Sequence, residues 1–215
     1  GPFTPAKRHL EAFPSIKVPA PKDIFPPRIG KPAYVRNLNR WSKGENGVPI
    51  LKRFAARTVN ASGIHGNTLT DWVRQYHQGV LAIDEGVGKL IAALKASGQY
   101  ENTLVVFTSD QGFAWGQHGF RHKLAPYDSN IRSPLIVSQP GTLPQGKVCP
   151  TPVGGTDIAP TFFSFAGLEL PWEMHGHDLT PLLKNPRAKW PHPTLTVLTA
   201  QKYGSDTTIV PTDKK

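Results

Sequence analysis

The clearest hydrophobic pattern of the chain lies between residues 69 and 98. Apolar side chains recur there at intervals of three and four, the spacing that places them on one face of an α-helix. These positions are Val73, Tyr76, Val80, Ile83, Val87, Leu90, Ile91 and Leu94. Gly98 follows the last of them, and glycine is the residue most often found just past a helix C-terminus. The pattern predicts an amphipathic helix that begins near Thr70 and ends at Gly98.

Short apolar runs after this helix predict β-strands. Residues 103–108 are β-branched and almost wholly apolar, which is typical of a buried strand in an α/β sheet. Residues 134–138 form a second such run, and residues 194–198 form a third. A helix is predicted over 156–167, with Asp157 as its N-cap. The alternation of helix and strand predicts the α/β class with layered helices.

The first third of the chain has a different pattern. Residues 1–49 contain nine prolines, which disfavour long helices and central strands. Residues 1–68 hold twelve Lys and Arg against three acids, and are predicted to be a Pro-rich, basic excursion over the core. A solvated surface and an anionic partner both explain this charge. Nucleic acid is not the expected partner, because no nucleic-acid-binding motif is present.

Composition narrows the class of protein further. The chain is 38% hydrophobic and 9% aromatic, which is typical of a globular protein. No apolar run reaches roughly eighteen residues, so no membrane span is predicted, and residues 1–5 have no signal-peptide features. Cys149 is alone, which excludes a disulfide framework and a thiolate zinc cluster. Since the chain begins without Met, we expect it to be part of a longer protein; its oligomeric state is left open.

The densest group of polar side chains follows the strand predicted at 103–108. Asp110 and Gln111 follow it after Ser109, and ligands of open α/β sheets bind beyond the carboxyl ends of strands. A carboxylate beside an amide oxygen offers two hard ligands, which suit Ca²⁺ or Mg²⁺. An Asp in this position can equally cap a turn before Gly112. The spacing alone leaves both interpretations open.

Seven segments, taken in order, carry a resemblance to a known family. They are residues 76–88, 101–112, 116–123, 131–137, 156–161, 166–168 and 176–183. This ordered set resembles the C-terminal portion of the sulfatase family, in the alkaline-phosphatase-like superfamily. The resemblance implies a layered α/β fold with a mixed, largely parallel central sheet, incomplete in this chain. Residues 69–190 would then be the C-terminal part of the catalytic domain, and residues 191–215 a final strand and tail.

The resemblance also implies roles for four residues. Asp110 would be a ligand of the active-site divalent cation, usually calcium. Gln111 stands where the family most often has Asn or His, and its amide oxygen could serve as a second ligand. Lys123 matches the lysine that contacts the sulfate oxygens, where its charge would stabilise the reacting group. His118 lies in a Gly-x-His-Gly turn and either faces the pocket or is a structural histidine bonded to backbone.

The nucleophile of the family is missing from this chain. Sulfatases react through a formylglycine made from Cys or Ser in a Cys/Ser-x-Pro-x-Arg motif, and the surroundings of Cys149 do not match it. We therefore expect the formylglycine upstream of Gly1. The full-length protein is predicted to be a sulfatase, a sulfuric ester hydrolase, and the fragment alone to be inactive.

The substrate and the compartment are also inferred from the resemblance. The basic first third and the family's habits favour a sulfated carbohydrate over a small aryl sulfate, and family members are commonly exported to the periplasm or secreted. Two alternatives are left open: a phosphonate or phosphodiester hydrolase of the same superfamily, and a non-catalytic domain that binds polyanions.

Overall fold

The computed structural model describes residues 4–52, 66–123 and 125–197 of the 215-residue chain. The strands are β1 (Trp41–Lys43), β2 (Pro49–Leu51), β3 (Val105–Thr108), β4 (Ala114–Trp115), β5 (Arg121–His122) and β6 (Leu135–Ser138). The α-helices are α1 (Ala33–Arg36), α2 (Leu69–Ala96), α3 (Asp128–Ile131), α4 (Ile158–Ala166) and α5 (Thr180–Lys184). Short 3-10 helices cover Lys7–His9, Glu45–Gly47, Tyr100–Asn102, Gln117–Gly119 and Gly155–Asp157. The fold is therefore of the α/β class.

The described residues divide into two compact units. The first contains residues up to Leu90 together with Gln111–Arg132, and the second contains Ile91–Asp110 and Ser133–Val197. Helix α2 begins in the first unit and ends in the second.

Both ends of α2 have well-defined caps. At its start, the Thr68 Oγ1 atom accepts a hydrogen bond from the Asp71 N–H (3.1 Å), and the Asp71 carboxylate accepts one from the Thr68 N–H (3.1 Å). At its end, Gly98 has a φ of +69°, and the Gln99 N–H donates to the Leu94 carbonyl over 2.9 Å. This is the Schellman arrangement. The helix predicted between Thr70 and Gly98 is confirmed, with bounds of Leu69 and Ala96.

The buried face of α2 is not the predicted apolar stripe. Leu69, Trp72 and Gln78 are buried, whereas Ile83 is 51% exposed and Leu90 67% exposed. The Pro-rich segment packs on the adjoining face, where the Gln78 amide donates to two of its backbone carbonyls over 2.6 and 3.0 Å. Among the helices of the described residues, none is long and apolar enough to cross a membrane.

The Pro-rich segment supplies much of the core of the first unit. As its prolines predict, the described residues 4–52 contain no helix longer than the four residues of α1 and only the short antiparallel pair β1–β2. Two buried hydrophobic clusters nevertheless contain residues of the Pro-rich segment. The first consists of Ile24, Trp41, Leu51, Leu69 and Trp72, and the second of Val35, Leu38, Ala114, Phe120 and Ala125. Folding of this unit thus depends on contacts between distant parts of the chain.

The second unit is built on the pairing of β3 with β6. The two strands are antiparallel, with Val105 opposite Ser138 and Thr108 opposite Leu135. Both strands were predicted, but their side chains are only partly buried. The largely parallel sheet is not found in the described residues, where each sheet has two antiparallel strands, because the chain re-enters beside β3 in the opposite direction.

Two local predictions for the second unit need correction. Asp157 does not cap α4, because it ends the preceding 3-10 turn with φ −76° and ψ −14°. Its carboxylate instead accepts hydrogen bonds from the Gly154 N–H (2.8 Å) and the His177 N–H (2.9 Å). No strand forms over residues 194–197, and the rest of the final strand and tail predicted for 191–215, from Leu198 onward, lies outside the described residues.

Candidate functional site

Asp110 lies two residues beyond the C-terminal end of β3, as predicted. The Thr108 hydroxyl donates to the Pro134 carbonyl over 2.8 Å and ties the end of β3 to the segment entering β6. The Ser109 hydroxyl lies 3.3 Å from the Asp110 carboxylate, which is exposed. Since hard cations in α/β proteins bind near such strand ends, the position of Asp110 suits a metal ligand.

The donor chemistry of Asp110 and Gln111 fits a hard cation in type but not in number. A carboxylate and an amide supply oxygen ligands, whereas calcium takes about six to eight. Within the described ranges, no group of three or more His, Cys, Asp or Glu side chains could hold a metal. The oxygens of Asp110 and Gln111 alone would leave a calcium ion with too few ligands.

The four predicted site residues are divided between the two units. Asp110 belongs to the second unit, while Gln111, His118 and Lys123 belong to the first. Within the first unit, one hairpin carries both His118 and Lys123: β4 leads into the turn at residues 116–120, and β5 ends immediately before Lys123.

The hairpin turn has an unusual backbone. Gly116, His118 and Gly119 have φ values of +95°, +53° and +76°. The Gly116 N–H donates to the Phe120 carbonyl over 3.0 Å, and the Gln117 side-chain oxygen accepts the Trp115 N–H over 2.6 Å. Glycine tolerates positive φ without strain, whereas histidine does so at a cost.

Packing explains both glycines of this motif. A Cβ at Gly116 would overlap the side chain of Ile24, and a Cβ at Gly119 would overlap the guanidinium of Arg28. The turn therefore packs directly against residues of the Pro-rich segment, and there is no space for a side chain at position 116 or 119.

Asp23 holds His118 through two contacts. One carboxylate oxygen accepts the His118 backbone N–H over 3.0 Å, and the other lies 2.5 Å from the ring Nδ1. The His118 ring also packs on the Tyr127 ring, with centroids 4.2 Å apart. His118 is thus fixed by a side-chain carboxylate and an aromatic ring, whereas the structural alternative predicted from sequence had it bonded to backbone.

Two pKa shifts follow from this arrangement. Partial burial acts to raise the pKa of Asp23, but hydrogen bonds from the backbone and ring of His118 outweigh it and lower that pKa. Burial, together with the neighbouring Tyr34, raises the pKa of Tyr127. At neutral pH Asp23 is therefore an anion and a pure hydrogen-bond acceptor.

Arg28 organises the segment that presents Asp23. Arg28 is 3% exposed, and its guanidinium donates to four backbone carbonyls. They are those of Asp23 (2.6 Å), Ile24 (2.5 Å), Val35 (3.0 Å) and Leu38 (2.8 Å). Because the Arg28 fork bonds on both sides of the loop, it fixes the shape of residues 23–38, in which the single turn of α1 is the one regular element.

Lys123 is half-buried and follows another strained residue. His122 has a φ of +64°, and its carbonyl accepts the side-chain amide of the buried Asn130 over 2.7 Å. Its ring lies near Trp72 and Phe113, with centroids 5.6 and 5.2 Å away. Burial, with a smaller effect from the charge of Arg121, lowers the pKa of His122 to about 4.

Sequence reasoning missed Asp23, Arg28 and Asn130. Asp23 lies 95 residues from His118, so spacing could not connect them. The usable signal was that Asp23 is one of only three acids in the basic residues 1–68. The buried Asn130 lies between two of the family-like segments, 116–123 and 131–137, and carries no motif of its own.

Comparison with known proteins identifies the family. The sulfatase family model matches residues 31–168. An N-acetylglucosamine-6-O-sulfatase of Bacteroides thetaiotaomicron is 39% identical over 127 residues, covering 57% of this chain and 23% of the relative. A putative extracellular sulfatase, the Sulf-1 homologue of Caenorhabditis elegans, is 32% identical over 172 residues, covering 79% of this chain and 23% of the relative.

A solved structure agrees with these relatives. BT4656, in complex with its substrate D-glucosamine-2-N,6-O-disulfate, superposes with a TM-score of 0.63 at 27% identity and covers 85% of this chain and 45% of that protein. The chain belongs to the sulfatase family, and it spans about a quarter of the length of the curated relatives described.

Proposed function

We propose that the full-length protein is a sulfuric ester hydrolase and that this chain contributes part of its active site. The observation that carries the proposal is the hairpin of residues 114–123, which holds His118 and Lys123 in a strained and tightly supported backbone. Strain of this kind is typical of functional sites, because a fold retains it only where surrounding contacts enforce it. The match of residues 31–168 to the sulfatase family supplies the reaction class.

Lys123 is proposed to bind the sulfate group. An ammonium on a half-buried stem stabilises negative charge more strongly than one in open water, because the surrounding dielectric is lower. His118 is proposed to contact the same substrate through its imidazole ring. Both groups act by binding and orienting the ester, while the nucleophile, a formylglycine in this family, is expected in the portion of the protein that precedes Gly1.

Asp110 and Gln111 are proposed as ligands of a divalent cation. Their two oxygen donors suit Ca²⁺ or Mg²⁺, and calcium is proposed because sulfatases usually hold it. The cation would neutralise charge on the sulfate group. Its remaining ligands must come from residues other than these two, since two donors do not complete a coordination shell. Gln111 departs from the family, which most often has Asn or His there, but its longer side chain still offers an amide oxygen.

A sulfated carbohydrate is the proposed substrate class. Relatives of this chain are named for N-acetylglucosamine 6-O-sulfate, and BT4656 binds a disulfated glucosamine. Residues 1–68 carry an excess of nine positive charges, which would favour an anionic glycan. Export from the cell is proposed on the same basis, since one relative is named as extracellular.

Replacement of Lys123 by Ala in the full-length protein tests the proposal. We expect kcat/KM for a 6-O-sulfated amino sugar to fall by at least about 10²-fold, because the charge that stabilises the sulfate is lost. Lys147→Ala, which removes an exposed lysine, is the matched control and should leave turnover unchanged. Equal kinetics of the two variants would refute the assignment.

Assaying a phosphodiester alongside the sulfated sugar separates a sulfatase from a phosphonate or phosphodiester hydrolase of the same superfamily. Faster hydrolysis of the phosphodiester than of any sulfate ester would favour the phosphodiesterase. Salt-sensitive binding of sulfated glycan without turnover of either substrate would favour the non-catalytic polyanion-binding domain.

A further inference from the structure

The contact between Asp23 and His118 has a geometry that fixes which nitrogen of the His118 ring carries the proton. We call this contact the tautomer lock. Both oxygens of the carboxylate are used: one accepts the His118 backbone N–H over 3.0 Å, and the other faces the ring Nδ1 over 2.5 Å. A carboxylate can only accept hydrogen bonds, so the ring nitrogen that faces it must carry a proton. His118 is therefore held with hydrogen on Nδ1.

Neighbouring side chains restrict movement of the His118 ring away from the Asp23 carboxylate. The Tyr127 ring lies 4.2 Å from it, and the adjacent Gly119 is pressed against the Arg28 guanidinium. Arg28 in turn donates to the Asp23 carbonyl over 2.6 Å, so the carboxylate and the turn are braced by the same buried side chain. Both partners of the pair are fixed before any ligand binds.

We infer that Asp23 is a positioning residue for the sulfatase site, one that fixes His118 as the Nδ1–H tautomer and leaves Nε2 as the ring atom that interacts with the sulfated substrate. This inference rests on the proposed function. Nε2 of the neutral ring accepts a hydrogen bond from a sugar hydroxyl, and Nε2–H of the charged ring donates one to a sulfate oxygen.

The Pro-rich segment gains a specific role from this inference. Its basic residues are suited to attract an anionic substrate, whereas Asp23, one of its three acids, serves a residue of the hairpin. The segment would thus contribute to the chemistry of the site as well as to its electrostatic field.

Asp23→Asn is the decisive variant, because it keeps the size of the side chain. Asn can still accept the His118 backbone N–H, but its amide then presents N–H groups to Nδ1. Nδ1 must become an acceptor, which moves the proton to Nε2. The Asp→Asn variant of a Ser-His-Asp triad is the precedent for this effect, since there the wrong tautomer costs activity although the geometry is intact.

The test uses the full-length protein with ¹⁵N-labelled histidine. In the wild type, ¹⁵N NMR should show the His118 proton on Nδ1, identified as the signal lost in His118→Ala. In Asp23→Asn it should move to Nε2, and kcat for the sulfated amino sugar should fall by about 10²-fold, the loss typical when one positioned hydrogen bond to the reacting group is removed. Glu45→Gln, which removes an exposed acid of the same segment, should change neither.

A double-mutant cycle completes the test. If Asp23 acts through His118, Asp23→Asn combined with His118→Ala should be no slower than His118→Ala alone. An unchanged His118 tautomer in Asp23→Asn, or fully additive losses in the double variant, would overturn the inference. Because the NMR measurement needs no turnover, failure of the tautomer lock is distinguishable from an absence of sulfatase activity in the wild type.

Discussion

His118 and His122 both have left-handed backbone conformations, with φ values of 53° and 64°, in the five residues that precede Lys123. For a residue with a Cβ, this conformation costs about 1–2 kcal/mol. Each histidine is held by a specific acceptor or donor: the Asp23 carboxylate for the first and the Asn130 amide for the second. The position of Lys123 is therefore set by interactions that oppose local strain.

The stability of the protein should fall in acid because of His122. Its folded pKa of about 4 lies below the unfolded value of about 6.5. The unfolded state therefore binds more protons than the folded state between these values, and the free energy of unfolding decreases as pH falls from about 6.5 to about 4. We expect a loss of roughly 2 kcal/mol, a value discounted because the ring is partly exposed.

Urea unfolding of the wild type and of His122→Asn, measured from pH 7 to pH 4, tests the predicted decrease in the free energy of unfolding. Asn tolerates positive φ but does not titrate in this range. The difference in pH dependence between the two proteins isolates the contribution of the ring. Parallel curves for the two proteins would contradict the assigned pKa.

Gly119 should tolerate alanine much less well than another glycine of positive φ. A Cβ at Gly119 would overlap the Arg28 guanidinium, whereas one at Gly141, where φ is +75°, would meet nothing within 4 Å. Both substitutions carry the backbone strain, but only Gly119→Ala adds overpacking of about 1–3 kcal/mol. Thermal unfolding should therefore show a clearly lower Tm for Gly119→Ala than for Gly141→Ala.

At the scale of elements, the loop of residues 23–38 depends on one buried cation. Arg28→Lys keeps the charge but loses the fork that reaches four carbonyls, so several of them lose their donor. We expect the free energy of unfolding to fall by about 2–4 kcal/mol. Arg36→Lys, at an exposed position at the end of α1, should change it by less than about 0.5 kcal/mol.

Chemical denaturation of the two variants gives the comparison. Equal midpoints and slopes for Arg28→Lys and Arg36→Lys would mean that the carbonyls around Arg28 do not depend on it.

The regular elements were largely predictable from sequence, because local signals determine them. Periodicity and a terminal glycine located α2, and β-branched runs located β3 and β6. The pairing direction of β3 and β6 was not predictable, because it depends on how the chain returns. The buried face of α2 was missed for a similar reason: the polar Gln78 is buried because it satisfies carbonyls of a segment more than sixty residues away.

The candidate site also contains residues that local sequence predicts and residues that it does not. Asp110, Gln111, His118 and Lys123 stand in recognisable local motifs, whereas Asp23 and Arg28 act through contacts across the chain. Polar side chains that support a site from a distant loop leave no periodic signal. Their partners can be assigned only once the fold is known.

At the scale of the whole molecule, the 215-residue chain should not hydrolyse sulfate esters by itself. It contains no Cys/Ser-x-Pro-x-Arg motif, and loss of a covalent nucleophile typically costs many orders of magnitude in rate. An assay of the purified chain beside the full-length protein, with the same sulfated sugar, checks this. Turnover by the chain at a rate comparable to that of the full-length protein would contradict the prediction.

The bond between Asp23 and His118 also bears on the order of folding. It joins positions 95 residues apart, so the entropy of closing a long loop must be overcome before it can form. The left-handed backbone at His118 is held in part by this distant carboxylate, which accepts its N–H. We therefore expect α2 to form early and the turn before Lys123 to reach its final conformation late, when residues 23–38 dock. During synthesis from the N-terminus, the contact of Asp23 with His118 can form only after residue 118 has been synthesised. The site would therefore reach its final structure in a separate, later step than the helices.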